Sequence, residues 1–217
     1  YVTDHGLGHA TRTVALIREL KLLNFEIILR TSTNEFFFKK SLNNIKIQSG
    51  IADVGPIIKD DGMTIDVAHS KSKIENWIQE IPKTSQKEID FLKKINPSLV
   101  ISDISAMPFL ATKKLDIPSL AISNFSWYDV LKFLSRKHLN LLKTFYDYAD
   151  YAIKLPFGTS MEHFKNKIDS KILARTPTSS ELDIRKKLCL SKQDFVITIA
   201  LGNPNKSFLF DFPKNCK

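Results

Sequence analysis

Tyr1-Val-Thr-Asp-His-Gly-Leu-Gly-His-Ala-Thr-Arg12 opens the chain with extended-type residues, then a Gly/His turn, then a helical pattern without pause. The whole 217-residue chain has seven glycines and five histidines, yet His5, Gly6, Gly8 and His9 fall within five consecutive positions. A strand that turns sharply into a helix needs positive φ or close backbone approach, and glycine supplies both without steric cost. Gly6 and Gly8 fit that need. The helix that follows aims its unpaired N–H groups and the positive end of its dipole past the strand, where a phosphate or carboxylate is well held. The turn is not a dinucleotide fingerprint, because it lacks the third glycine of G-x-G-x-x-G, and no P-loop Gly-Lys-Ser/Thr occurs.

Outward from this turn, residues 10–23 carry Val14, Leu16, Ile17, Leu20 and Leu23 at helical spacing. Residues 25–31 are β-rich, Ser32-Thr-Asn-Glu35 offers capping chemistry to a short helix over 36–40, and 45–49 reads as a third strand. Residues 70–95 are helical in pattern, with Pro82 expected to start, break or kink the helix. Then come a buried-type strand ending in a carboxylate (97–103), a helix (106–115), a strand (118–123), an aromatic-rich helix or helix pair (124–148) and a further strand (151–156). Such alternation implies an α/β fold, a Rossmann-like parallel sheet with helices on both faces. The text turns polar between 176 and 191, around Thr-Pro-Thr-Ser-Ser-Glu181, which reads as a linker with a capping signal. The domain boundary is therefore placed near Thr178, giving a first domain over 1–178. Residues 179–217 are a linker and the first strand, 194–203, of a second α/β domain. That strand fades into Asn-Lys-Ser-Phe, and the first strand has about three residues where five or six are usual. The expectation is a truncated second domain and residues preceding Tyr1.

Hydrophobic residues at 43% and charged residues at 25% are ordinary for a folded globular chain, which excludes dominant disorder. Cys189 and Cys216 have no metal-site spacing and make no disulfide framework, pointing to a reducing compartment. No run of eighteen apolar residues and no signal peptide is present, so the reading is cytoplasmic. The net charge of +9 is spread over scattered lysines rather than a dense block, so a solvated basic surface is expected and nucleic acid is not.

In open parallel sheets ligands sit outside the carboxyl ends of the strands. The His5/His9 turn and Ser102-Asp103 both occupy such ends. If their strands are close, an imidazole held by a carboxylate becomes a general base near neutral pH. The alternative is that His9 packs at its helix start and Asp103 caps the helix after it. Asn124-Phe-Ser-Trp127 follows a strand and offers an amide, a hydroxyl and aromatic rings that suit a sugar, or else a packed helix start. Asp53, Asp60, Asp61 and Asp66 lack the Ca²⁺-loop spacing and read as turn-formers. His69, His138 and His163 are isolated. Phe36-Phe-Phe-Lys-Lys40 suits a buried short helix or a weak contact with an anionic membrane surface.

Several of these segments together resemble one family. Residues 1–12, Asp53-Val-Gly with Asp66, Leu99-Val-Ile-Ser-Asp103, Ile122-Ser-Asn-Phe-Ser-Trp127 and Tyr151-Ala-Ile-Lys-Leu-Pro156 look like the glycosyltransferase-like N-terminal region of plant L-arabinokinases and its prokaryotic relatives. The likeness spans almost the whole chain in order. More distantly, the Gly6-Leu-Gly-His9 turn is similar to the Gly-Gly-His turn of the bacterial lipid-linked N-acetylglucosaminyltransferase of cell-wall synthesis. The resemblance implies the N-terminal half of a GT-B fold, in which two Rossmann-like domains face a cleft. The acceptor lies mainly on the first domain and the nucleotide-sugar on the second, with no required metal. It also implies His9 as base and Asp103 as its partner. His5, Gly6, Gly8, Asn124, Ser126 and Trp127 are then expected near substrate, and Gly8, Gly202 and Asn203 near the donor phosphates. The family's usual glycine before the first histidine is Asp4 here. The implied activity is a hexosyltransferase-like transfer from a nucleotide-sugar, UDP-linked, to a sugar or lipid-linked acceptor, with no cofactor, while this piece alone is expected not to turn over. The alternative is a noncatalytic sugar- or anion-binding module of the same fold, as fused to sugar kinases. A nicotinamide-dependent enzyme is disfavoured by the missing third glycine.

Overall fold

The computed structural model describes residues 1–50, 53–61 and 64–198. Its elements are α1 (Leu7–Leu22), β1 (Ile28–Thr31), α2 (Glu35–Ser41), β2 (Lys46–Ser49), α3 (Val67–Ile95), β3 (Val100–Ser102), α4 (Met107–Leu115), β4 (Ser119–Ser123), α5 (Trp127–Val130), α6 (Arg136–Tyr146), β5 (Tyr151–Lys154), β6 (Lys167–Asp169) and α7 (Glu181–Lys187). Every pairing between these named strands is parallel: β1 with β2, and β3, β4, β5 and β6 in that order.

The opening residues join the two sheets. Val2 N donates to Arg30 O at 3.0 Å on one side, while on the other Asp103 N donates to Tyr1 O at 2.9 Å and Val2 bridges Asp103 in parallel. The spatial order is thus β2, β1, residues 1–3, β3, β4, β5, β6. Chain progress runs outward from residues 1–3 in one direction and from β3 in the other. Right-handed crossovers then put α1 and α2 on one face and α4 and α6 on the other. The core divides accordingly, into Val2, Ala10, Val14, Ile17, Leu29 and Phe38 on one side, and residues of α3, α4 and α6 on the other. The order reverses between residues 1–3 and β3, which is the switch point where α/β sheets open a crevice.

Several sequence expectations shift. α1 begins at Leu7 rather than at 10, so Gly8 and His9 sit in its first turn. Gly6 has φ 81°, but Gly8 has no positive φ and does not serve as a turn glycine. In the Ser32–Glu35 stretch Asn34 is the N-cap residue of α2 but makes no side-chain cap bond; Asp4 holds the turn before it, accepting from Ser32 N at 3.0 Å and Thr33 N at 2.8 Å. α3 continues through Pro82, which lies on its exposed side, while Ile74, Ile78 and Ile81 are wholly buried. Of the two forms expected for residues 124–148, a helix or a helix pair, the pair α5 and α6 is found. β6 follows a polar stretch whose sequence carried no strand signal. Residues 194–198 form no strand, and Phe195 is 91% exposed. The rest of the expected strand lies outside the described residues. No helix among the described residues is long and apolar enough to cross a membrane.

Candidate functional site

α1 carries His9 and Arg12 on one face, because residues three apart are neighbours on a helix. Its N-terminus follows Gly6 directly, no side chain caps it, and no acidic residue lies in its first turn. Across the switch point, the chain leaves β3 at Asp103, whose backbone is held by Tyr1. The two segments bring their side chains together. His9 Nδ1 lies 2.8 Å from Asp103 Oδ1, with His9 7% exposed and Asp103 3% exposed. Among the described residues His9 Nε2 has no hydrogen-bond partner. That atom is not sealed in, since the buried side-chain nitrogens left without a partner belong to His163.

Arg12, which the sequence reading missed, sits at the centre. Its Nε donates to Asp103 Oδ2 at 2.7 Å and its Nη2 to Asp103 Oδ1 at 2.5 Å, a bidentate clasp. Nη1 donates to Asn124 Oδ1 at 2.6 Å, and Nη2 also reaches Ser123 Oγ at 3.0 Å and His9 Nδ1 at 2.6 Å. Burial pushes the Asp103 carboxyl up, but hydrogen bonds from Arg12 and His9 outweigh it and hold it below the ordinary carboxylate range. The spacing His9-x-x-Arg12 was the available signal, but Arg12's partners lie 91 and 112 residues away.

His5 stands beside this cluster without a carboxylate on its ring among the described residues. Its ring meets Trp127 edge to face at 5.5 Å, His9 meets Phe125 at 5.6 Å, and Phe125 meets Trp127 at 5.7 Å. Burial, then the nearby His9, lowers the His5 pKa and favours its neutral form. Behind the aromatic wall, Asp53 accepts from Trp127 Nε1 at 2.7 Å and Thr3 Oγ1 at 2.6 Å. Burial raises its pKa to about 6 against the pull of those two hydrogen bonds.

The other expected substrate residues are differently employed. Ser126 is fully buried and caps α5, accepting from Asp129 N at 3.2 Å, so its hydroxyl faces no ligand. Trp127 is 2% exposed, and its indole N–H is taken by Asp53. Asn124 holds Arg12 and donates to Phe157 O at 3.2 Å. Gly6 and Gly8 are exposed at the α1 terminus. Gly202 and Asn203 lie outside the described residues, as does Cys216, while Cys189 is free and exposed. The acidic loop does not converge: Asp53 is buried, Asp66 caps α3 and pairs with His69, and Asp61 accepts from Thr64 N. His138 is buried between Gln79 and Ser135. Of the three phenylalanines of α2, Phe38 is fully buried, Phe37 packs against the core and Phe36 is 76% exposed.

A groove of about 600 Å³ opens beside the α1 N-terminus, between Leu7, Arg18, Asn34, Phe36, Lys40 and Arg175. A second, of about 730 Å³, lies at the amino ends of β3 to β5, around Leu99, Ser119 and Tyr151. The first shares the carboxyl edge with His9, and that is the edge at which such sheets bind ligands.

No family model matches the chain. The L-arabinokinase of Arabidopsis thaliana is 26% identical over 212 residues, covering 93% of this chain and 20% of that protein. Among solved structures, UGT89C1 of Arabidopsis thaliana aligns with a TM-score of 0.54 at 12% identity, over 85% of this chain and 53% of that one. MurG of Acinetobacter baumannii aligns with a TM-score of 0.46 at 15% identity, over 82% and 46%. The chain thus spans a fifth of its curated relative and about half of the UGT89C1 chain. Its architecture is that of one half of a GT-B fold, and its sequence resembles a fifth of L-arabinokinase.

Proposed function

We propose that the chain is the acceptor-side half of a glycosyltransferase in which His9 Nε2 removes the proton of an acceptor hydroxyl. The observation that carries this reading is the His9–Asp103 hydrogen bond at the switch point, with Nε2 left unpartnered among the described residues. The acceptor oxygen attacks the anomeric carbon of a nucleotide-sugar as the proton passes to Nε2. The bond from that carbon to the diphosphate breaks, and the nucleoside diphosphate leaves with the electron pair. Inversion follows from this single displacement. The uncapped α1 N-terminus offers backbone N–H groups and a positive dipole end to the developing negative charge. UDP-linked donors are the first to screen, and the groove beside Phe36, Lys40 and Arg175 is the place for a sugar or lipid-linked acceptor. The donor-binding half is supplied from outside the described residues.

A second reading, a noncatalytic sugar- or anion-binding module, is favoured by one contact. Arg12 Nη2 at 2.6 Å from His9 Nδ1 opposes the tautomer that a base requires. The L-arabinokinase relative fits a module of this kind fused to a sugar kinase. Assays of sugar transfer from a panel of nucleotide-sugars separate the two. Transfer is expected from a protein in which this chain is joined to a donor-binding half, and none from the 217 residues alone. Sugar binding without transfer from any donor supports the module.

A further inference from the structure

His9 Nδ1 faces two partners that require opposite things of it. Arg12 Nη2, at 2.6 Å, only donates, whereas the ionised Asp103 Oδ1, at 2.8 Å, only accepts. One ring nitrogen satisfies one of them at a time. With its proton on Nδ1, the ring answers Asp103 and keeps a lone pair on Nε2, the state of a base. With a bare Nδ1 it answers Arg12 and carries its proton on Nε2, the state of a donor.

Arg12 is fixed in place beside the ring. It clasps both oxygens of Asp103 and its Nη1 donates to Asn124 at the end of β4, while of the two Nη2 N–H groups one goes to Asp103 and the other is shared between Ser123 Oγ and His9 Nδ1. Its side chain is 15% exposed, so solvent screens it little. The remaining titratable groups near the ring are His5, which burial keeps neutral, and Asp53, whose charge is tied to Thr3 and Trp127. Neither bonds Nδ1. The choice of tautomer therefore lies between Arg12 and Asp103.

We infer that Arg12 is a positioning residue that sets the tautomer of His9, restraining the base by contacting Asp103 and Nδ1 together. This rests on the reading of His9 as the base. Its effect passes through a second residue, by the choice of which ring nitrogen of His9 carries the proton.

The test is NMR of the full chain with ¹⁵N- and ¹³C-labelled histidine, which reads the tautomer without any turnover. Wild-type His9 is expected to divide between the two tautomers, the Nδ1–H share being the one that acts as base. Arg12→Met should move it further to Nδ1–H. Arg12→Lys keeps a charge near Asp103 and so preserves folding, but it lacks the planar fork, and it should move the tautomer the same way by a smaller amount. Circular dichroism establishes that each variant is folded. A merely structural role for Arg12 would lower the melting temperature and leave the His9 tautomer in place. An unmoved tautomer in folded Arg12→Lys overturns the inference even if Arg12→Met does not fold. Should the tautomer move while no donor supports transfer, the Arg12 coupling stands and the glycosyltransferase reading falls.

Discussion

Asp4 shows how much one carboxylate does at the first turn. It accepts from Thr31 Oγ1 at 2.9 Å, Ser32 N at 3.0 Å, Ser32 Oγ at 2.5 Å and Thr33 N at 2.8 Å. It thereby ties the end of residues 1–3 to the end of β1. Burial raises its pKa, but the hydrogen bonds from Ser32, Thr31 and Thr33 prevail and lower it. Asp4→Ala leaves those backbone donors without a partner, and a loss of roughly 1–3 kcal/mol is expected by urea denaturation. The resembled family's glycine gives way to a residue that builds the turn itself. His9 and Asp103 were legible in the sequence because each follows a strand-like run at the edge where ligands bind. Arg12 was not, since a surface arginine and a buried clasp look alike until Asp103, Ser123 and Asn124 are brought together. Ser126 and Trp127 misled for the converse reason: a capping hydroxyl and a buried indole share the composition of a sugar site.

At the scale of elements, the β4 end and the loop after β5 meet with no room to spare. A Cβ on Gly158 would lie 1.5 Å from Asn124 O, a backbone atom that cannot swing aside. Thr159 N donates to that same oxygen at 2.8 Å, and Asn124 Oδ1 holds Arg12. Gly158→Ala should therefore cost on the order of 1–3 kcal/mol in a denaturant titration. It should also shift the His9 NMR signals, because the displaced Asn124 carries Arg12 with it. The periodic elements α1, α4, β3, β4 and β5 were legible within a few residues of their ends. β6 was hidden because Lys167-Ile-Asp169 has one apolar residue and gains its strand geometry from pairing with β5. At Pro82 α3 neither starts nor breaks, because tertiary packing of the isoleucine face carries the helix through the proline.

At the scale of the whole molecule, acid acts on the fold through carboxylates of opposite tendency. Asp103 and Asp4 have lowered pKa values, so they stabilise the fold above the ordinary carboxylate value of 3.8, and that contribution is lost as pH falls below it. Asp53 is raised from 3.8 to about 6, so the folded state binds its proton more tightly, and stability declines as pH rises across that window. Asp53→Asn removes this slope. The stability of the variant minus that of wild type should rise by roughly 2–3 kcal/mol between pH 4 and pH 7, read from paired urea titrations. The buried His163, whose pKa burial lowers, acts alike in both proteins and cancels from the difference. The same switch point that places Asp53, His5 and His9 side by side was legible as a fold class, but not as a strand order, because the sheet is closed by only a few backbone hydrogen bonds around Val2. The central claim, that this edge supplies a base, is tested most directly by His9→Ala in the two-half protein, with transfer and acceptor binding measured on the same preparation. The account predicts a fall in kcat of about 10²–10⁴-fold with acceptor affinity little changed. Turnover that survives the substitution would contradict it.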